Sequence, residues 1–187
     1  MNFKDLGIKD DILNILRKNG ITTPTPIQSE CIIPIINNKD VIAQAQTGTG
    51  KTLGFLLPIF ENISKDINST QVLILSPTRE LAIQITEEAK KLNEAKDINI
   101  LAAYGGKDIS SQINKLKKNI HMIIATPGRL LDHLDRGTID LSKIKTFVLG
   151  LHRYNKLGCQ LQVKLKISQR CWISLFFQPL NLPHILL

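Results

Sequence analysis

Five short apolar runs, separated by longer amphipathic stretches, limit what this chain can fold into more than any other feature. Asp40–Gln44, Gln71–Leu75, Ile98–Tyr104, His121–Ala125 and Thr146–Leu149 are near-continuously hydrophobic. Runs of this length and type predict strands covered on both faces, as in a parallel sheet buried between helices. Helical periodicity fills the gaps at Leu53–Ile63, Glu80–Ala95, Ile109–Lys118 and Gly128–Arg136. Two more helices, Lys9–Lys18 and Pro26–Ile36, precede the first strand. Gly20 closes the former and Thr25 stands at the N-cap of the latter. Pro77 and Pro127 are expected at first helical positions, where a missing N–H costs nothing. The alternation predicts a doubly wound α/β domain over residues 1–149, with right-handed crossovers.

Charge divides the chain at the same boundary. Of 187 residues, 24 are Lys or Arg and 16 are Asp or Glu, a net charge of +8. All the acids lie at or before Asp140, whereas Arg153, Lys156, Lys164, Lys166 and Arg170 fall beyond residue 149. The tail therefore carries +5 and the first 149 residues only +3. The break marks residues 150–187 as an anomalous, acid-free segment, expected to be poorly ordered. Within it, Ser174–Phe177 and Ile185–Leu187 are apolar runs suited to covering a sheet edge. Cys31, Cys159 and Cys171 have no spacing that builds a disulfide framework or a metal knuckle. No apolar run is long enough to cross a bilayer, and the N-terminus lacks a signal-peptide core, so a cytoplasmic location is expected.

The sharpest local signal is Ala45-Gln46-Thr47-Gly48-Thr49-Gly50-Lys51-Thr52, directly after the first strand and opening a helix. Gly48 and Gly50 permit a tight turn that converges backbone N–H groups on phosphate oxygens. The helix N-terminus adds its dipole, Lys51 neutralises β- and γ-phosphates, and the Thr52 hydroxyl helps hold Mg²⁺. This pattern predicts a P-loop for ATP or ADP, with Ala45 in place of the usual first glycine.

That substitution, together with four further motifs in order, resembles the DEAD-box family of ATP-dependent RNA helicases. Phe3, followed by Gly20 and Pro24-Thr25-Pro26-Ile27-Gln28, is similar to the family's Q motif. There the resemblance implies that Phe3 stacks on adenine and Gln28 reads its edge. Pro77-Thr78-Arg79-Glu80-Leu81-Ala82 resembles motif Ia, Gly105-Gly106 the paired glycines, and Thr126-Pro127-Gly128-Arg129 motif Ib. The resemblance covers roughly residues 3–149 and implies a RecA-like P-loop domain, incomplete at its C-terminal part. It also implies that Pro77, Thr78, Arg79, Gly105, Gly106, Thr126, Pro127, Gly128 and Arg129 bind single-stranded RNA through its backbone, without sequence preference. Loops after parallel strands lie at one sheet edge, where ligands of such folds bind, so the grouping is physically coherent. The expected assembly is a monomer with no membrane partner.

Taken singly, each residue has a plainer reading. Arg79 and Arg129 serve equally as solvated first-turn residues, Gly105-Gly106 as a simple turn, Gln28 as a surface helix residue, and Phe3 as core filler or a frayed terminal aromatic. Only their joint order favours the functional reading. An unrelated P-loop enzyme such as a small kinase would need an acid at a strand end and a lid, and neither is visible.

The motif that names the family is absent. Thr146–Leu149 should deliver Asp-Glu-Ala-Asp, but positions 150–153 read Gly150-Leu151-His152-Arg153. No carboxylate follows, and a histidine beside an arginine is a poor substitute as a Mg²⁺ ligand. The Ser-Ala-Thr motif and a second RecA-like domain also have no counterpart. The resemblance assigns the arginine finger to that second domain, and losing a finger costs about 10³–10⁵ in rate. The chain as written is thus expected to bind nucleotide, with a weakened Mg²⁺ site, and not to hydrolyse ATP usefully or unwind RNA. A non-enzymatic nucleotide- or RNA-binding module is the alternative. The preferred origin of the tail is translation out of frame or through an inserted segment. In the frame starting at the third base of the Gln169 codon, Gln169–Trp172 permits Lys-Met-Leu-Asp.

Overall fold

The computed structural model describes residues 1–46, 48–151, 171–176 and 185–186. Six helices and seven strands occupy them. The helices are α1 (Asp10–Lys18), α2 (Pro26–Ile36), α3 (Lys51–Asn62), α4 (Arg79–Leu92), α5 (Ile109–Leu116) and α6 (Pro127–Asp135). The strands are β1 (Val41–Gln44), β2 (Val72–Leu75), β3 (Ile100–Ala103), β4 (Met122–Ala125), β5 (Thr146–Leu151), β6 (Cys171–Phe176) and β7 (Ile185–Leu186).

These strands form one sheet in the order β3-β4-β2-β5-β6-β1-β7. Every pairing is parallel except that of β7 with β1. All residues of β2 and β4 are buried, as a sheet covered on both faces requires. Alternation along β2 sends Val72 and Ile74 into a core shared with α1 to α4, and Leu73 and Leu75 into a second core that includes Leu130 of α6. No helix among the described residues is long and apolar enough to cross a membrane.

Two differences from the expected architecture bear on the site. The strand set read from sequence ended at Leu149, but the sheet contains two more strands. β6 lies between β5 and β1, in register from Thr146↔Cys171 to Leu151↔Phe176 on one side and from Val41↔Ile173 to Gln44↔Phe176 on the other. Without it, two central strands would expose unpaired backbone N–H and C=O groups, and Cys-Trp-Ile-Ser-Leu-Phe has the β-branched and aromatic content that suits the slot. Ile173 is fully buried there. The second difference is the start of α4. Pro77 is not its first residue: Thr78, in extended conformation, caps the helix by accepting the Leu81 N–H at 3.3 Å, so the proline stands one position before the cap. Pro127 does occupy the first turn of α6, after Thr126 as N-cap.

Candidate functional site

The loop after β1 is shaped by two glycines in left-handed conformation, Gly48 at φ +82° and Gly50 at φ +84°, the latter capping α3. Only glycine adopts this conformation without steric cost, which explains the local sequence. Lys51 opens α3 and turns back over the loop, donating to the carbonyls of Ala45 and Gln46. It is buried, and that burial lowers its pKa below the ordinary lysine value. An ammonium held among carbonyls at a helix start is poised to exchange them for phosphate oxygens. Thr49 Oγ1 donates to the Gln46 carbonyl at 2.8 Å, tightening the turn, and Thr52 is half-buried on the first turn of α3. Thr47 lies outside the described residues.

Gln28 and Thr25 meet this loop from α2. Gln28 is 2% exposed, so the surface-helix alternative does not hold. Its Nε2 donates to the Gly50 carbonyl at 3.0 Å, and its Oε1 accepts the Thr25 N–H at 3.0 Å. Thr25 Oγ1 donates to the Thr49 carbonyl at 2.9 Å. Each end of the Gln28 amide thus makes one bond within the protein, leaving its second N–H and the second lone pair of Oε1 as the groups that could meet a base. Phe3 is 2% exposed and belongs to the core, lining a cavity of about 110 Å³ with Arg17, Ile21 and Thr22. The structure thus brings Gln28 to the P-loop, and sets Phe3 in the packing of α1.

A second group gathers where β2, β3 and β4 end. The Ser76 N–H bonds to the Ala125 carbonyl at 2.9 Å and the Thr126 N–H to the Ala103 carbonyl at 3.0 Å, so the three loops leave the sheet side by side. Arg79 lies over the Tyr104 ring, 5.4 Å from its centroid, and Lys107 is 5.2 Å from the same centroid. Gly106 has φ +81°, and a Cβ there would come within 2.3 Å of Arg79 Nη1. Arg129 Nη1 donates to the Lys107 carbonyl at 3.0 Å. Thr78, Gly105, Gly106 and Gly128 are exposed, and Pro77, Thr126, Pro127 and Arg129 half-buried. Sequence reasoning missed Tyr104 and Lys107, although both flank the glycine pair.

The metal half of the expected site does not fit. Positions 150 and 151 continue β5 as Gly150 and Leu151, paired to β6, and His152 and Arg153 lie outside the described residues. Among the described residues no group of three or more His, Cys, Asp or Glu side chains is placed to hold a metal. A lone hydroxyl, that of Thr52, does not make a Mg²⁺ site.

The family model for DEAD/DEAH box helicases matches residues 25–170. The chain belongs to the DEAD/DEAH box helicase family. Over 147 residues it is 46% identical to the DEAD-box ATP-dependent RNA helicase CshA of Geobacillus kaustophilus, a match covering 79% of this chain and 32% of that protein. It is 45% identical over 148 residues to the ATP-dependent RNA helicase DeaD of Escherichia coli, covering 79% of this chain and 24% of that protein. The chain thus spans less than a third of the length of these relatives. A crystal structure of a DEAD box protein from Methanococcus jannaschii superposes with a TM-score of 0.85 at 34% identity, covering 97% of this chain and 51% of that one. The RecA-like fold, a parallel sheet flanked by helices, is therefore that of this family.

Proposed function

We propose that this chain is the nucleotide-binding RecA-like half of an ATP-dependent RNA helicase, retaining ATP or ADP binding and RNA-backbone binding and lacking ATP hydrolysis. The observation that carries the reading is the convergence of the P-loop and three further loops on the carboxyl edge of one parallel sheet, the binding edge of such folds. Lys51 and the amides of residues 48–52 would take the phosphates. Arg79, Gly105, Gly106 and Arg129 would meet the sugar-phosphate backbone of single-stranded RNA, a contact class without sequence information. Gly150 and Leu151 stand where the carboxylates belong, and among the described residues no group of three or more His, Cys, Asp or Glu side chains is placed to hold a metal.

Two titrations test this. ADP should raise the melting temperature of the full chain, and Lys51→Ala should remove the shift. RNA-stimulated ATP hydrolysis should be indistinguishable from background, and a rate comparable to that of intact family members would overturn the inactive assignment. Placement of β6 inside the sheet supports a second form of the reading, in which the chain is a folded, non-enzymatic binding module. ADP binding with cooperative unfolding of all seven strands would favour it.

A further inference from the structure

Two buried polar side chains, Gln112 of α5 and His133 of α6, belong to neither the P-loop nor the exposed loop residues. They are 3% and 0% exposed. Gln112 Nε2 donates to the Tyr104 carbonyl at 3.2 Å, which turns its Oε1 toward His133 Nε2 at 3.0 Å. An amide oxygen only accepts, so this arrangement requires the ring proton on Nε2. Thr138 Oγ1 stands 2.8 Å from Nδ1 and 3.0 Å from the His133 carbonyl, and its single proton serves one of the two.

His133 lies four residues after Arg129, on the same face of α6. The turn 104–107 is thus held at both ends from one helix. Its entry carbonyl, Tyr104, is fixed through Gln112 and His133, and its exit carbonyl, Lys107, is fixed by Arg129 directly. Arg129 is half-buried and within reach of solvent, so a phosphate can compete for its guanidinium; Gln112 and His133 are sealed. When Arg129 leaves the Lys107 carbonyl for a phosphate, the buried pair still ties the turn to α6. We infer that Gln112 and His133 are positioning residues, a second anchor that keeps the Gly105-Gly106 turn in place while Arg129 engages a nucleic-acid phosphate. The inference rests on the RNA-binding part of the proposed function. Burial and the neighbouring Arg129 and Arg136 lower the pKa of His133, against Asp132, which favours the neutral ring; the Nε2 donor is present in either protonation state.

The test uses the full chain and a single-stranded oligouridylate. Backbone order parameters of residues 105–107 should fall from near 0.85 to below about 0.6 in Gln112→Met and in His133→Phe, with β2 and β4 unchanged. The double variant should lose no more than either single one. Oligouridylate affinity should weaken about tenfold, the equivalent of one charge-assisted hydrogen bond, while ADP stabilisation stays intact. If Gln112→Met does not fold, Gln112→Glu, measured at a pH where the carboxyl is ionised, keeps an acceptor for His133, has no donor for Tyr104, and should loosen the turn alike. Unchanged order parameters, additive effects, or a loosened turn with unaltered RNA affinity would each overturn the anchor. Wild-type protein that ignores oligouridylate sinks the RNA reading and with it the anchor's purpose, even if the turn loosens as expected.

Discussion

Replacing Gly50 by alanine would place a methyl carbon 2.4 Å from Gln28 Nε2 and 3.2 Å from Thr25 Oγ1, on a backbone at φ +84°. Two costs follow. The left-handed conformation costs an alanine about 1–2 kcal/mol. Displacing Gln28 breaks its bond to the Gly50 carbonyl and strands an amide in a buried site, worth about 1–3 kcal/mol more. The sum, about 2–5 kcal/mol, corresponds to a fall of roughly 4–20 °C in Tm for a chain of this size. Gly48 supplies the control. Its φ is +82°, but nothing lies within 4 Å of an added Cβ, so Gly48→Ala carries only the first cost. Urea unfolding followed by circular dichroism should therefore separate the two variants by about 1–3 kcal/mol at equal m-values. In a Gln28→Ala background the separation should collapse, because the obstructing amide is gone. Equal destabilisation by Gly48→Ala and Gly50→Ala in the parent chain would refute the idea that the Q-motif glutamine braces the P-loop.

Saturating ADP at a hundredfold excess over Kd should stabilise the parent by about 2.7 kcal/mol, and Lys51→Ala should forfeit all of it in a thermal-shift titration. Phe3→Ala should cost about 3–5 kcal/mol in unfolding without nucleotide, because the ring is core; an unchanged urea midpoint would return it to the exposed class. Burial lowers the Lys51 pKa, so its charged form opposes folding. The parent should gain stability relative to Lys51→Met as pH rises from that lowered pKa toward the usual 10.5, and ADP should abolish the gain. Amides of Cys171–Phe176 should exchange as slowly as those of β1, measured by hydrogen exchange at residue resolution, since β6 is paired on both sides.

Local signals carried most of the architecture. Each apolar run became a strand, and Gly48, Gly50 and Lys51 announced a phosphate loop because a turn's geometry is written in neighbouring residues. What escaped was set by distant partners. For Gln28 the resemblance implied a base contact, with a surface helix position as the plainer alternative, yet it lies four and seven positions before the buried Ile32 and Ile35, on the face of α2 that packs inward. Tyr104, Gln112 and His133 join three elements, and a sequence read segment by segment gives no sign that a glutamine on one helix answers a histidine on the next. β6 was hidden for the same reason: its partners Val41 and Thr146 are set by strand order, which no local pattern encodes. Pro77 failed differently, because a proline and a capping threonine competed for the helix start and Thr78 held it.

The tail changes composition where the sheet does not change architecture, and the two facts together sharpen the out-of-frame reading. The strand between β5 and β1 is Cys171–Phe176, and the residues after it read Phe177-Gln178-Pro179-Leu180. Taken from the third base of the Phe176 codon, these positions permit Phe-Ser-Ala-Thr, provided Phe176 and Phe177 are TTT, Gln178 CAG, Pro179 CCA and Leu180 CTN. The missing Ser-Ala-Thr motif would then be encoded directly after β6. It lies in the same frame that turns Gln169–Trp172 into Lys-Met-Leu-Asp when Gln169 is CAA and Arg170 AGA, so a single displacement accounts for both. The coding DNA decides it. Those seven codons would make residues 169–180 a displaced reading of the strand and motif that belong there. Any other codon at Gln178 or Pro179 removes the Ala-Thr pair, and the tail must then be explained as a sequence that fits the slot between β5 and β1 on its own terms.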